Sequence, residues 1–409
     1  MAELDLTNIA AASIATPAAG VSAIFVDTAD KRVKQRDDSG TINTLCNEGL
    51  QDMNVLSNGG LSIQQRVATA ATAIPSVSTT TRAGQVADRW AVTVGNVTTP
   101  LWTQVDARST PETGLLAPYY GRITQNTNAA KFIFSQFLAN QDIAHLRGSK
   151  VRLSVKIKQF VGAVANYRLG LLQLTAAGTV DTAPAFITAI GAASVEPTWG
   201  TNLAAITPDA TPVENGTVSG VAVTIASTAA WVRSSGVFTI PTDCKNLVVV
   251  LYRDTLGAAS DSVGIAEVQM TQGPDLVDWV SLPWVSELTR CQRYFCKTFA
   301  AATVPVTNAG INTGEAKGIA GKAGAVANSG IIAWRFPVTM FKTPTTVTGF
   351  NPGVANALQR NLTGAADMGA TAFTAQLDSS VMSIATGVAA TAVGDQIGLH
   401  ITADAEFVA

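Results

Sequence analysis

The stretch "KVRLSVKIKQF", Lys150 to Phe160, decides the fold. Val151, Leu153, Val155 and Ile157 alternate with Arg152, Ser154, Lys156 and Lys158, the period of a β-strand with one apolar face and one wet face. Strand-like segments continue on both sides: "RWAVTVG" (Arg89 to Gly95), "AKFIFSQFL" (Ala130 to Leu138), "YRLGLLQL" (Tyr167 to Leu174), "GVAVTIA" (Gly220 to Ala226), "WVRSSGVFTI" (Trp231 to Ile240) and "NLVVVLYR" (Asn246 to Arg253). Gly, Pro, Asn and Thr punctuate them and helix-period segments are scarce. The chain reads as all-β, with residues 51–285 forming a jelly-roll β-sandwich.

Upstream, residues 1 to about 20 are rich in Ala, Thr and Pro and read as an extended arm. "SAIFVDTADKRVKQRDDSGTINTL" (Ser22 to Leu45) then gives three short strand-like runs divided by turn chemistry at Thr28 to Asp30 and at Asp38-Ser39-Gly40. Such a ribbon is too small to stand alone and needs something to pack on. Downstream, "SELTRCQRYFCKTF" (286–299) is the best helix candidate: Ser286 as cap, Glu287 in the first turn, and Leu288, Cys291 and Phe295 at i, i+3 and i+7. Residues 300–409 return to strand-like runs such as "GIIAWRFPVTMF" (Gly330 to Phe341) and "DQIGLHITADAEFV" (Asp395 to Val408), a C-terminal β-sandwich domain. The helix would join the two β domains.

A 409-residue chain exceeds what one core usually organises. Its longest apolar run, "NLVVVLY" (Asn246 to Tyr252), is far below the roughly 20 residues that cross a bilayer, so a soluble protein without membrane insertion is expected. The N-terminus opens with two acids and lacks the charged and apolar regions of a secretory signal. A net charge of −2 argues against nucleic acid as partner. Four cysteines, Cys46, Cys244, Cys291 and Cys296, make no disulfide framework, in keeping with folding in a reducing cytoplasm.

Little catalytic chemistry is legible, and no enzyme, metal or cofactor is expected. Cys291 and Cys296 would be separated by about 7.5 Å and about 140° on a helix, and the only histidines, His145 and His400, lie far away in sequence, so the two thiols read as small apolar packing groups. "GEAKGIAGKAG" (Gly314 to Gly324) has Ala323 where a phosphate loop needs Ser or Thr and reads as a flexible glycine-rich loop. The acids Asp88, Asp106, Glu112, Asp261 and Glu267 show no pairing and read as turn, cap or surface groups. Aromatic rings stack on the apolar faces of sugars, and "PLWTQVDARSTPETGLLAPYYGR" (Pro100 to Arg122) places Trp102, Tyr119 and Tyr120 in a loop-rich stretch as candidate glycan contacts. The alternative is that these rings fill a core or a subunit interface.

Several motifs resemble a modular family of tailed-bacteriophage virion fibre and receptor-binding proteins. "MNVLSNGGLSIQQR" (Met53 to Arg66) followed by "VADRW" (Val86 to Trp90) resembles its opening pattern. "LRGSKVRLSVKIK" (Leu146 to Lys158), "IAEVQMTQGPDLVDW" (Ile265 to Trp279), "ELTRCQRYF" (Glu287 to Phe295), "FPVTMFKTPTTVTGFN" (Phe336 to Asn351) and "ADAEF" (Ala403 to Phe407) resemble later pieces in the same order. Leu61, Gln64 and Thr271 depart from the pattern, and no ligand role is carried over from it. The resemblance implies a carbohydrate-module-like jelly roll, a connector helix in which Cys291 packs while Arg293 and Tyr294 tie the two β domains, and a C-terminal β domain. It also implies a homotrimer in a virion assembled in the host cytoplasm, attached to other virion proteins through residues 1–50 and displaying a face to a host-surface glycan. A head fibre or capsid decoration protein is the structural alternative. A glycan-degrading tailspike would show the short repeat of a β-helix, which this chain lacks.

Overall fold

The computed structural model describes residues 8–10, 13–27, 33–40, 42–44, 53–67, 72–73, 84–94, 101–109, 112–125, 131–175, 177–182, 186–190, 196–321, 327–367, 373–387 and 392–407. The protein is almost wholly β, and its body is a sandwich of two antiparallel sheets. One sheet runs Val232–Thr239, Lys150–Val161, Ser262–Gln272, Tyr119–Thr124, Leu101–Asp106, Thr72–Ala73. The other runs Thr217–Ser219, Ala222–Ala226, Asn166–Leu174, Asn246–Arg253, Phe132–Leu138, Trp90–Val94, Gly84–Ala87, with Leu203–Ile206 added beside Asn166–Leu174.

The Lys150–Val161 strand turns Val151, Leu153, Val155 and Ile157 fully into the core between the sheets. Its second face is drier than the sequence suggested, because Arg152 and Ser154 are also buried. Arg152 donates to the Ser235 hydroxyl and to the Pro274 carbonyl, so of the four residues expected on the wet face only Lys156 and Lys158 stay partly exposed.

Phe132–Leu138 and Asn246–Arg253 are buried along their whole length, which explains the apolar run Leu247–Tyr252 and the mostly apolar Phe132–Leu138, where only Ser135 and Gln136 are polar. Their outer face, with Ile133, Phe137, Val248, Val250 and Tyr252, is roofed by two segments. One is the excursion after Leu174, which contributes Phe186, Ile187 and Trp199; the other comes from beyond residue 290 and contributes Tyr294, Phe341 and Phe407. The jelly roll therefore does not end in a free sheet face here: the C-terminal region sits on it.

In that region Gln396–Asp404 is the hub, pairing with Phe295–Lys297, Ala316–Ala320, Thr346–Phe350 and Arg360–Asn361. Ile397, Leu399, Ile401 and Ala403 form its core with Ile332, Phe336 and Met340. Three expectations change. The helix spans Trp284–Gln292 rather than 286–299: Pro283, with φ −52° and ψ 137°, stands at its N-cap, and Ser286 makes no cap bond. The end of the expected helix is the strand Phe295–Lys297, captured by Thr402–Asp404. The glycine-rich stretch is not a loop at Ala316–Ala320, because both neighbours supply ladder partners; its residues 322–324 lie outside the described residues.

The N-terminal ribbon consists of Asn8–Ile9, Ala23–Asp27, Val33–Arg36 and Ile42–Thr44, with the first pair parallel. Gly40, at φ +86°, closes the turn at Asp37 to Gly40. The other expected turn, Thr28 to Asp30, lies outside the described residues. Phe25 is buried while Val21 and Ile24 are half-exposed.

Candidate functional site

The quoted motifs converge on the joint between the sandwich and the C-terminal sheet. Asn54 receives the Leu56 and Met270 N–H groups and donates to the Val268 carbonyl. Asn58 closes the 58–63 turn and also donates to the Asp88 carbonyl. Asp88 accepts from the backbone and side chain of Gln65; burial pushes its carboxyl up and the Arg66 charge offsets this only in part. Arg66 pairs with Asp404 and lies over the Phe295 ring at 3.9 Å. Arg89, fully buried, pairs with Glu406, donates to the Phe137 carbonyl and lies 3.3 Å over the Tyr294 ring. Trp90 stacks on Phe134 and donates to the Asn58 carbonyl.

The helix adds the remaining ties. Arg290 donates to the Asn54 and Val55 carbonyls, while Arg293 and the Tyr294 hydroxyl both reach Asp142. Cys291 and Cys296 are buried free thiols; burial holds Cys291 well above the usual thiol range and pushes Cys296 up to about 12. Among the described residues no group of three His, Cys, Asp or Glu side chains is placed to hold a metal ion, and Cys46 lies outside them. His400 is buried between the Thr298 and Thr313 hydroxyls and stacked on Phe299, and His145 lines a separate hollow beside Arg290 and Arg293.

Of the three candidate glycan rings, only one reaches a surface. Trp102 is 1% exposed, packed inside the sandwich near Phe134 and over Gly121. Tyr120 is 3% exposed and packs against Phe160 and Trp231 on the outer face of its sheet, in a cluster joined by Ala107 and Leu115. Strand alternation sends neighbouring residues to opposite faces, so the pair Tyr119-Tyr120 is split. Tyr119, at the strand's end, faces a cleft of about 370 Å³ lined by Ser62, Gln64, Gln104, Asp106, Trp284 and Ala301 among others.

An adjoining hollow of about 230 Å³ shares Ser62, Tyr119 and Trp284 and adds Arg108, Trp279 and Ser281. Trp284 is 48% exposed at the start of the helix. Trp279 lies against Gly59 and Gly60, where an added Cβ would stand 3.2 and 3.0 Å from its ring, and donates to the Ser281 hydroxyl. Arg108 clasps Asp106 through two nitrogens and also donates to the Tyr119 hydroxyl; these bonds hold the Asp106 carboxyl down at about 2. The cleft therefore offers three rings beside fixed hydrogen-bonding groups. Trp279 and Trp284 were missed in the sequence because neither lies on a strand; the signal available was two tryptophans five residues apart in "DWVSLPW", a proline-containing linker.

The acids singled out in the sequence turn out to be structural or surface groups. Glu267, a bulge residue with φ +49°, binds Lys156 and receives the Leu116 and Ala117 N–H groups. Asp261 pairs with Arg253, and Glu112 with Lys158 and Trp231. Asp88, Asp261 and Glu267 are buried rather than at the surface.

One cation shapes the cleft from behind. Lys297 is 7% exposed, and its ammonium donates to the Gln65, Ala301 and Thr303 carbonyls, which fixes the Ala301–Ala302 wall against the sandwich. Burial brings its pKa down to about 8, with Asp88 opposing.

No family model matches the chain, and no curated protein matches it. Among solved structures it is similar, over 54% of its length, to a CBM61 module in complex with β-1,4-galactotriose, at 11% identity and a TM-score of 0.29 over 99% of that module. It is similar over 53% of its length to the CBM22-1 xylan-binding domain from Paenibacillus barcinonensis, at 12% identity, TM-score 0.26 and 100% of that domain. It also resembles the enzymatically active domain of tailspike protein 4 of bacteriophage CBA120, at 10% identity and a TM-score of 0.30, over 54% of this chain and 21% of that one. At such scores these likenesses carry no argument about ligand or assembly.

Proposed function

We propose that this chain is a non-enzymatic bacteriophage virion protein of the tail-fibre or receptor-binding kind. It attaches to other virion proteins through residues 1–50, assembles as a homotrimer and binds a host-surface glycan in the cleft of Tyr119, Trp279 and Trp284. The observation that supports glycan binding is that cleft: three rings at the rim of a hollow whose polar groups are already held in place, the mixture of apolar surface and few oriented polar groups that binding sites use. The virion assignment rests on the order of the motifs in the sequence. Screening the intact protein and its Trp284→Ala form on an array of bacterial surface polysaccharides tests the reading. Binding that the substitution abolishes is expected; no binding by the intact protein overturns it.

A head fibre or capsid decoration role is the second reading, favoured by one observation: the motif residues Arg66, Arg89 and Tyr294 make the ties of the joint, a structural task. Locating the labelled protein on the particle decides between tail and head.

A further inference from the structure

Resting on the glycan-binding reading above, we infer that the ligand is a neutral, linear oligosaccharide that lies across the seam between the sandwich and the C-terminal sheet, contacting several consecutive sugar units. The two hollows are continuous, since Ser62, Tyr119 and Trp284 line both. One end is formed by Trp279 and Ser281 and the other by Ala301 and Ala302. Ser281 and Ala302 are both exposed, so each end of the groove meets solvent and a chain can run through rather than stop. Trp284 stands at the shared middle and Trp279 at one end, which spaces the stacking surfaces along the groove instead of gathering them round a single sugar.

Charge disfavours an acidic ligand. The one arginine in the groove, Arg108, is already clasped by Asp106, and Glu287 is buried and accepts the Asn58 N–H. An anionic glycan would meet carboxylates with no uncompensated cation from the groove-lining residues to receive it. The far wall belongs to the segment after the strand Phe295–Lys297, and Lys297 ties its Ala301 and Thr303 carbonyls to that of Gln65 in the sandwich. A ligand filling the whole groove therefore needs both β regions.

The test is calorimetric titration of the intact protein with gluco-, manno- and galacto-oligosaccharides from mono- to hexasaccharide, beside a uronic-acid oligosaccharide of matching length. Affinity for one neutral series is expected to rise about tenfold from di- to tetrasaccharide, with weaker binding of the acidic chain. Ala302→Trp, at an exposed position and checked by an unchanged melting temperature, is expected to remove that gain and leave disaccharide binding as it was. If monosaccharide and tetrasaccharide bind equally, or the acidic chain binds best, while Trp284→Ala still abolishes binding, this inference fails and the glycan-binding reading stands. If no sugar binds, both fail.

Discussion

Lys297 shows what a single residue does at the joint. Its ammonium sits among three carbonyl oxygens with no carboxylate in hydrogen-bonding contact, so folding removes the charge from water and its pKa falls from 10.5 to about 8. Between those values the unfolded chain holds a proton that the folded one has released. The Lys297 contribution to stability therefore rises with pH through that window and is at its least below pH 8. Urea titrations of the protein and of Lys297→Met from pH 7 to 11 measure this as a difference: the native protein should gain on the variant from about pH 8 to about 10.5. A flat difference would mean that the ammonium is not desolvated. Nothing in "RYFCKTF" announces this role, because the carbonyl of Gln65 comes from 232 positions away and those of Ala301 and Thr303 depend on how the chain turns just after Lys297. Cys291 and Cys296 are buried free thiols, as their reading as packing groups expected, but Cys296 lies on the strand Phe295–Lys297 and not on the helix assumed for their spacing. The cleft was half legible: Tyr119 lay in the suspected stretch, but Trp102 and Tyr120 went to opposite buried faces by strand parity, and that parity depends on where the strand begins.

At the scale of elements, the strands were legible where one face or both faces are buried, because their periods are written in the side chains: Lys150–Val161 by alternation, Asn246–Arg253 by an unbroken run. Elements whose state is set by a distant partner were not. Phe295–Lys297 continues a helical spacing yet joins Gln396–Asp404, about a hundred residues away, and Ala316–Ala320 reads as loop until the same strand captures it. The bulge in Ser262–Gln272 is a third case: the register shifts opposite Ser154 and Lys156, and Glu267 takes φ +49°. Its carboxylate then ties the 112–118 segment to the sheet through the Leu116 and Ala117 N–H groups and Lys156. That segment leads directly into Tyr119, so the bulge positions a wall of the cleft. Glu267→Ala takes the carboxylate from Lys156, which keeps only the Gly114 carbonyl, and leaves two N–H groups without their acceptor, a loss of about 3 kcal/mol. Limited proteolysis should then cut first within 112–118, and hydrogen exchange should accelerate there; unchanged protection would show that the Glu112 bonds to Lys158 and Trp231, the Lys156 bond to the Gly114 carbonyl and the packing on Tyr120 hold the segment without Glu267.

Across the whole molecule, the joint turns two β regions into one body. The outer face of the Phe132–Leu138 and Asn246–Arg253 strands is apolar and fully covered, part of its roof being Tyr294, Phe341 and Phe407. Arg89 and Glu406, each about 1% exposed, form an ion pair across the same seam. Removing one partner of such a pair leaves a buried charge unanswered, and removing the roof exposes an apolar patch of the kind that drives association. A fragment of residues 53–283 keeps every strand of the sandwich and the Phe186, Ile187 and Trp199 part of the roof but lacks Tyr294, Phe341, Phe407 and Glu406, so part of the sheet face is uncovered and Arg89 loses its carboxylate. Despite having its complete core, it is expected to aggregate or to bind a hydrophobic dye, while the 53–409 chain does neither. Light scattering after gel filtration, with dye fluorescence on the same fractions, makes the comparison. A monomeric 53–283 fragment that binds no dye would show that the sandwich is an independent module and that the motif residues serve something other than the joint.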